Sequence, residues 1–207
     1  MLRFSEVRKI SHKDFKEAIK IYEDSFPANE RQPVDIIKKR IKKNLYQMFI
    51  GCLDGEVVFM ALLYELKNTD FVLLDYMATK ENFRGKGIGQ KFVENMKKEL
   101  KLAHLILEIE NPKYGNNREQ RQKRVKFYRQ LGAKELKDIN YILPPLSGDI
   151  PTEMILMILL DSDEGKMEGN LVKKLITQIY KELYNRDEND EFLNKFISKV
   201  KRSIELV

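Results

Sequence analysis

The 207-residue sequence has no tryptophan, one cysteine and two histidines. Cys52 cannot close an internal disulfide, and its place in an alternating strand pattern suits a small core residue better than a nucleophile. His12 and His104 lie far apart and no Cys/His cluster accompanies them, so the sequence offers no zinc spacing and no metal is expected. No apolar run approaches the roughly 20 residues needed to cross a bilayer. No apolar signal region follows Met1-Leu2-Arg3-Phe4. A reducing, cytoplasmic setting away from membranes is therefore expected. Two phosphate loops are missing as well. There is no Gly-x-x-x-x-Gly-Lys-Ser/Thr of a nucleotide-triphosphate site, and no complete Gly-x-Gly-x-x-Gly with a trailing acid of a dinucleotide fold.

What is present reads as a folded chain: 43% hydrophobic and 34% charged residues, enough for a sizeable core. The formal net charge of +6 raises the question of nucleic acid. The lysines, however, are spread along helix faces beside glutamates and form no long basic block, so nucleic acid is not the expected main partner. The excess serves as solvated surface or as attraction for a polyanionic cofactor.

Read in order, Phe4 to Ile10 alternates as a half-buried strand does. Ser11 with Asp14 has the look of a helix cap, and Phe15, Ala18, Ile19, Tyr22 and Phe26 recur at helical spacing up to Pro27. A polar loop to Pro33 leads to a second helix burying Val34, Ile37, Ile41 and Leu45. Three strands follow, the first two joined by the hairpin signal Asp54-Gly55; the second of them, Val57 to Leu66, is apolar enough to be covered on both faces. The third, Phe71 to Ala78, enters a glycine-rich loop, and Ile88, Phe92, Met96 and Leu100 continue as a helix ending near Leu102. His104 to Glu110 is a strand and Glu119 to Leu131 a helix stopped by Gly132. Ala133 to Leu136 and Glu153 to Leu160 are strands on either side of a proline-rich connection. The order is β-α-α-β-β-β-α-β-α-β-β, a mixed α/β (α+β) succession.

Composition changes at Asp161, where an acidic linker to Gly169 begins. Leu171, Leu175, Ile179 and Leu183 form one stripe, and Leu193, Phe196, Ile197, Val200 and Ile204 another, the pattern of a helical hairpin. These stripes must be buried on the main domain or on a second copy of the chain, as a homodimer through the C-terminal helices.

The stretch Phe83-Arg84-Gly85-Lys86-Gly87-Ile88-Gly89 organises the rest. Glycines at alternate positions permit positive φ and bring bare backbone close to a ligand. The helix that follows opens with unpaired N–H groups and the positive end of its dipole, and Arg84 and Lys86 add two cations. Physically this is a phosphate-binding strand–loop–helix, with a plain strand-to-helix turn as the bland alternative.

Arg84, Gly87 and Gly89 fill the fixed places of the Arg/Gln-x-x-Gly-x-Gly/Ala signature, and the loop resembles that of the Gcn5-related N-acetyltransferases. Arg124 to Ala133, with Phe127-Tyr128 ahead of Leu131-Gly132-Ala133, looks like that family's second motif. The resemblance covers roughly residues 3 to 160. It implies a central mixed, mostly antiparallel sheet flanked by helices (an acyl-CoA N-acyltransferase fold) and a domain over 1–160; the helical extension over 161–207 lies outside the resemblance. It also implies acetyl-coenzyme A as cofactor, its pyrophosphate held by the amides of Gly85, Lys86, Gly87, Ile88 and Gly89 beside Arg84. Backbone N–H groups around Met77, Ala78 and Thr79 are expected to meet the thioester carbonyl. Many members carry an asparagine seven residues before the second-motif tyrosine; here Arg121 stands there, a departure.

Acetyl transfer requires a neutral amine, and freeing one of pKa near 10.4 at pH 7 costs about 4–5 kcal/mol unless the site takes the proton. Glu108 and Glu110 share one face of a strand and are the base candidates, with a solvated face or pairing to Arg118 and Arg121 as the alternative. Asp75 and Glu30 are lesser candidates. The resemblance assigns Tyr128 to protonate the departing thiolate; the alternative is a core tyrosine. Acceptor contacts are expected from Phe26 to Arg31, Glu30 and Arg31 among them, from Asp75 and Tyr76, and from the Tyr141 to Ser147 loop. The implied activity is direct transfer of acetyl to a small-molecule or peptide amine. The alternatives are a catalytically weak acyl-coenzyme A-binding sensor or scaffold, and a basic RNA-associated protein.

Overall fold

The computed structural model describes residues 1–99, 104–146, 149–160 and 164–207. The chain divides into two compact units, one of residues 1–67 with 71–103, the other of 68–70 with 104–207.

The first unit is an antiparallel meander of β1 (Leu2–Glu6), β2 (Tyr46–Leu53), β3 (Glu56–Glu65) and β4 (Phe71–Thr79). Asp54 and Gly55 both take positive φ in the β2–β3 turn, as a two-residue hairpin demands. In β3, Val57 through Tyr64 are all buried, as a strand apolar on both faces should be. Helix α1 (Lys13–Ser25) lies on β3 and β4 through Phe15, Ala18, Ile19 and Tyr22, and α2 (Val34–Lys42) lies on β2. The cap of α1 differs from the Ser11 reading. His12 occupies it, its ring Nδ1 accepting from Asp14 N at 3.3 Å. Pro33, rigid and without an N–H, caps α2 from just outside its first turn. Helix α3 (Ile88–Glu99) packs on β4; Leu100 and Leu102 of the expected helix lie outside the described residues.

In the second unit β5 (His104–Glu110) pairs antiparallel along β8 (Thr152–Leu160), with α4 (Arg118–Gln130) against β5. The same β8 also pairs with β6 (Lys134–Glu135) and with β7 (Tyr141–Leu143). Strand β7 falls inside the stretch read only as a proline-rich connection, and Ser147 lies outside the described residues. Of the expected linker, residues 161–163 lie outside the description as well, while β9 (Lys166–Glu168) is a strand. Helix α5 (Gly169–Glu182) buries Val172, Leu175, Ile176, Ile179 and Tyr180, and α6 (Glu191–Lys199) buries Leu193 and Phe196, all without a partner chain. The second apolar stripe is only partly helical. Ile204 sits in β10 (Ser203–Glu205), which pairs with β9, and Leu206 bridges to Leu136. Gly169 makes this possible: a Cβ there would lie 1.8 Å from the Lys201 carbonyl oxygen, and its N–H donates to Arg202 O at 2.8 Å.

Candidate active site

In the first unit, β4 ends at Thr79 and a 3-10 turn over Glu81–Phe83 leads to Arg84–Gly87. Gly85 and Gly87 have φ of +74° and +72°, a region closed to most side chains, and an added Cβ at either would meet nothing within 4 Å. Space therefore lies open before the bare backbone. Gly87 O accepts from Lys91 N at 3.0 Å, closing the first turn of α3, so the amides of Ile88, Gly89 and Gln90 have no acceptor inside the helix. Arg84 is steered by its Nε, which donates to Thr79 O at 3.2 Å, and Lys86 Nζ lies 4.7 Å from the centre of the Phe83 ring. The open space before Gly85 and Gly87 and the helix-start amides without intrahelical acceptors suit a phosphate group. Met77, Ala78 and Thr79 stand opposite Ala61, Met60 and Phe59 on β3.

Four predicted acceptor residues gather in the same unit. Leu62 and Leu63 stand opposite Tyr76 and Leu74, which leaves Asp75 as the extra residue of a β-bulge. A bulge re-aims a side chain, and this one is half-buried with Oδ2 accepting from the Tyr46 hydroxyl. Arg40 in turn donates to Tyr46 Oη at 2.9 Å. Burial raises the Asp75 pKa to about 6, against the opposing pull of the Tyr46 hydrogen bond and the Arg40 charge. Among the described residues no donor reaches Oδ1. Tyr76 is buried and acts through its hydroxyl, which donates to Glu30 O at 3.0 Å and accepts from Gln32 N at 3.2 Å. Arg31 donates to Glu23 O at 3.1 Å. Tyr76 thus pins the loop that carries Glu30 and Arg31 to the strand that carries Asp75.

In the second unit the two acids of β5 have different surroundings. Glu110 is bracketed by Arg121 at 2.9 Å and by Arg124, one guanidinium to each oxygen. The carboxylate is thus engaged by two cations. Arg121, in the place of the family's asparagine, also donates to Tyr114 O at 2.6 Å. Glu108 accepts from two phenols, Tyr141 at Oε1 and Tyr184 at Oε2. Tyr128, 8% exposed on α4, has its pKa raised to about 12 by burial, with the Arg124 charge opposing. Among the described residues its hydroxyl has no partner. No group of three His, Cys, Asp or Glu that could hold a metal occurs among the described residues.

Residues 44–132 match the model of the acetyltransferase (GNAT) domain, a span that includes both the glycine loop and Tyr128. That span is similar to a GNAT acetyltransferase domain. Among curated proteins no sequence matches. Solved structures share the fold of the GNAT domain and extend the likeness beyond it. A Bacteroides thetaiotaomicron protein assigned to the GNAT acetyltransferases is 20% identical with a TM-score of 0.74, over 89% of this chain and 99% of that one. The ribosomal-protein-S18-alanine N-acetyltransferase of Escherichia coli is 21% identical with a TM-score of 0.55, over 80% and 97%. A Salmonella typhimurium protein assigned as an acetyltransferase, solved with its cofactor acetyl-CoA, is 14% identical with a TM-score of 0.55, over 79% and 96%.

Several groups around the GNAT-domain acids were invisible in the sequence. Arg40 and Tyr46 had no predicted role, yet they form the chain of donors behind Asp75. Tyr184 lies just beyond α5, outside the matched span, and no local spacing connects it to Glu108. The only signal was chemical: tyrosines recurring in a segment otherwise built of Leu, Ile and Lys.

Proposed function

We propose that the protein is an acetyl-CoA-dependent N-acetyltransferase that moves acetyl directly to an amine, with residues 1–160 as the transferase domain and 161–207 as its extension. The observation that carries this reading is the open glycine cradle at the head of α3, inside the matched domain. Bound acetyl-CoA would supply an activated thioester carbonyl. The amides from Gly85 to Gly89, with Arg84 and Lys86, hold its pyrophosphate. Backbone N–H groups at Met77 to Thr79 receive the charge that develops on the carbonyl oxygen.

Proton handling falls to side chains with separated pKa values. Asp75, raised to about 6 and open at Oδ1, is suited to take the proton of an arriving ammonium group. Tyr128, with a pKa of about 12, keeps its proton through neutral pH and is suited to give it to the departing thiolate. Glu108 accepts from Tyr141 and Tyr184, and Glu110 is a partner of two arginines. Glu30, Arg31 and Tyr76 shape the acceptor's surroundings. An amine acceptor is supported by the family and by these acids; nothing narrows it to one metabolite or peptide. That no described helix is long and apolar enough to cross a membrane agrees with an enzyme working in the cytoplasm.

Calorimetry with acetyl-CoA tests the reading. The wild type should bind with one site, and Gly87→Trp, confirmed folded, should lose binding because the indole fills the space before the amides. Thiol release is then screened against alkylamines, aminoglycosides and peptides with free N-termini. A folded wild type that ignores acetyl-CoA would defeat the transferase assignment, and saturable binding without turnover on any amine would favour a sensor.

A further inference from the structure

Helix α4 carries six cations, Arg118, Arg121, Lys123, Arg124, Lys126 and Arg129, against one acid, Glu119. Four of the six are engaged. Arg121 and Arg124 reach Glu110, Lys123 pairs with Glu119 at 2.6 Å, and Arg129 pairs with Glu135 of β6 at 2.8 Å. Arg118 and Lys126 are exposed, and among the described residues no acid reaches either. Both stand on the wall of one groove.

The groove lies wholly within the second unit and has a volume of about 670 Å³. Small-molecule sites span about 300–1,000 Å³ and are mostly apolar with a few placed polar groups. Here Arg118, Gln122 and Lys126 follow one another at four-residue spacing and form a single row along α4. Val125, 7% exposed, Ile155 of β8 and Pro112 give the groove its apolar surface. Lys113 adds a third exposed cation without an acidic partner among the described residues, and its backbone is held by an Asx turn in which Asn111 Oδ1 accepts from Lys113 N at 3.0 Å. Glu135 also borders the groove, but it is the partner of Arg129. This is not the flank of α4 that carries the second-motif tyrosine. At about 100° per residue, Gln122 and Lys126 lie about 120° and 160° around the helix from Tyr128. Neither Tyr128 nor Arg121 nor Arg124 borders the groove. A solvated helix face would show free cations without a cavity, and a packing gap would show apolar walls without free cations. This groove has both.

We propose that this groove is a binding site for a small organic anion, a carboxylate on an aliphatic body. Arg118, Lys126 and Lys113 receive the carboxylate through charge-assisted hydrogen bonds, and the body covers Val125 and Ile155 from water. The site shares no residue with the glycine cradle, and it goes beyond the transferase reading without depending on it.

The test follows the Ile155 δ1 methyl by NMR in full-length, methyl-labelled protein, its resonance assigned by loss in Ile155→Val. Octanoate is the probe, and in the wild type the resonance should move saturably with it. Octanol, the body without the charge, and acetate, the charge with almost no body, should each bind at least about tenfold more weakly. The double variant Arg118→Glu with Lys126→Glu removes two cations that no acid of the described chain uses, so it should fold as the wild type does and weaken octanoate at least about tenfold. Lys113→Glu should weaken octanoate in the same direction and stands in if the double variant fails to fold. A wild type whose Ile155 signal ignores octanoate overturns the site. Octanol binding as tightly as octanoate, or a folded double variant with unchanged affinity, overturns the role given to the cations. Acetyl-CoA on the same samples keeps the site apart from the cofactor. Its affinity should stay within about twofold in the double variant, because neither cation belongs to the cradle, and it should leave bound octanoate in place. Competitive displacement of octanoate by acetyl-CoA would assign the groove to the cofactor and overturn a separate site.

Discussion

Replacing Asp75 by Asn gives the sharpest reading of how the first unit treats its central carboxylate. Burial lifts this group from an ordinary 3.8 to about 6, outweighing the Tyr46 hydrogen bond and the Arg40 charge. Between those two values the folded chain holds a proton that the unfolded chain has released, so stability falls as pH rises from about 4 through 6. A shift of about two units corresponds to about 3 kcal/mol at the ceiling, and solvent reaching this half-buried group reduces it to about 1–2 kcal/mol. Asparagine keeps an oxygen to accept from Tyr46 and never ionises. Asp75→Asn should therefore match the wild type in stability near pH 4 and exceed it by about 1–2 kcal/mol at pH 7.5. Urea unfolding followed by far-ultraviolet circular dichroism, at matched pH and with m compared between the two proteins, measures the difference. If Asp75→Asn is instead the weaker protein at pH 7.5, the carboxylate is a net stabilising partner of Arg40 and Tyr46. It would then be ionised well below pH 6 and unsuited to collect a proton. Amide substitution should also abolish turnover, with acetyl-CoA affinity kept.

Tyr128→Phe should lower kcat by about 100-fold or more while the acetyl-CoA Kd stays within about twofold, because only the proton donor is removed. With its pKa near 12, the wild-type phenol should leave no titration step in the activity profile below about pH 10, and a step below that pH would assign the donor elsewhere. Gly169→Ala should cost about 2–4 kcal/mol by thermal or urea unfolding, since its Cβ would overlap the Lys201 carbonyl and push β10 from the start of α5. Gly165→Ala, whose Cβ meets nothing within 4 Å, is the control and should be neutral; equal behaviour of the two variants would refute the packing argument.

The parts of this molecule that the sequence reveals are those whose physics is local. Asp54-Gly55 demands its turn, Val57 to Leu66 announces a strand buried on both faces, and the alternate glycines before Ile88 require positive φ and free amides wherever they occur. Each was readable within a dozen residues. Strand β7 was not, because three residues just before Pro144 and Pro145 carry too short a pattern, and only pairing with β8 makes them a strand. Nor was β10: Val200 and Ile204 keep helical spacing, but backbone pairing with β9 and the close approach of Gly169 to Lys201 and Arg202 take the chain out of the helix after Lys199.

Three carboxylates illustrate where sequence reasoning about a site runs out. Glu108, Glu110 and Asp75 are nearly the same chemical group, and two of them share a strand face. Their roles diverge because of neighbours far away in the chain. Arg121 and Arg124 reach back from α4 and cancel Glu110; Tyr141 and Tyr184 orient Glu108; Tyr46, 29 residues away, leaves Asp75 one open oxygen in a setting that discourages charge. Counting acids on a strand identifies candidates, and the donors that surround each one set their different environments. It follows that the segment after residue 164 is no detachable appendage. Removing it takes away Tyr184, Tyr180 and the α6 ring that supports Tyr141, so an assay on residues 1–160 alone would report on a chain whose Glu108 has lost its orientation.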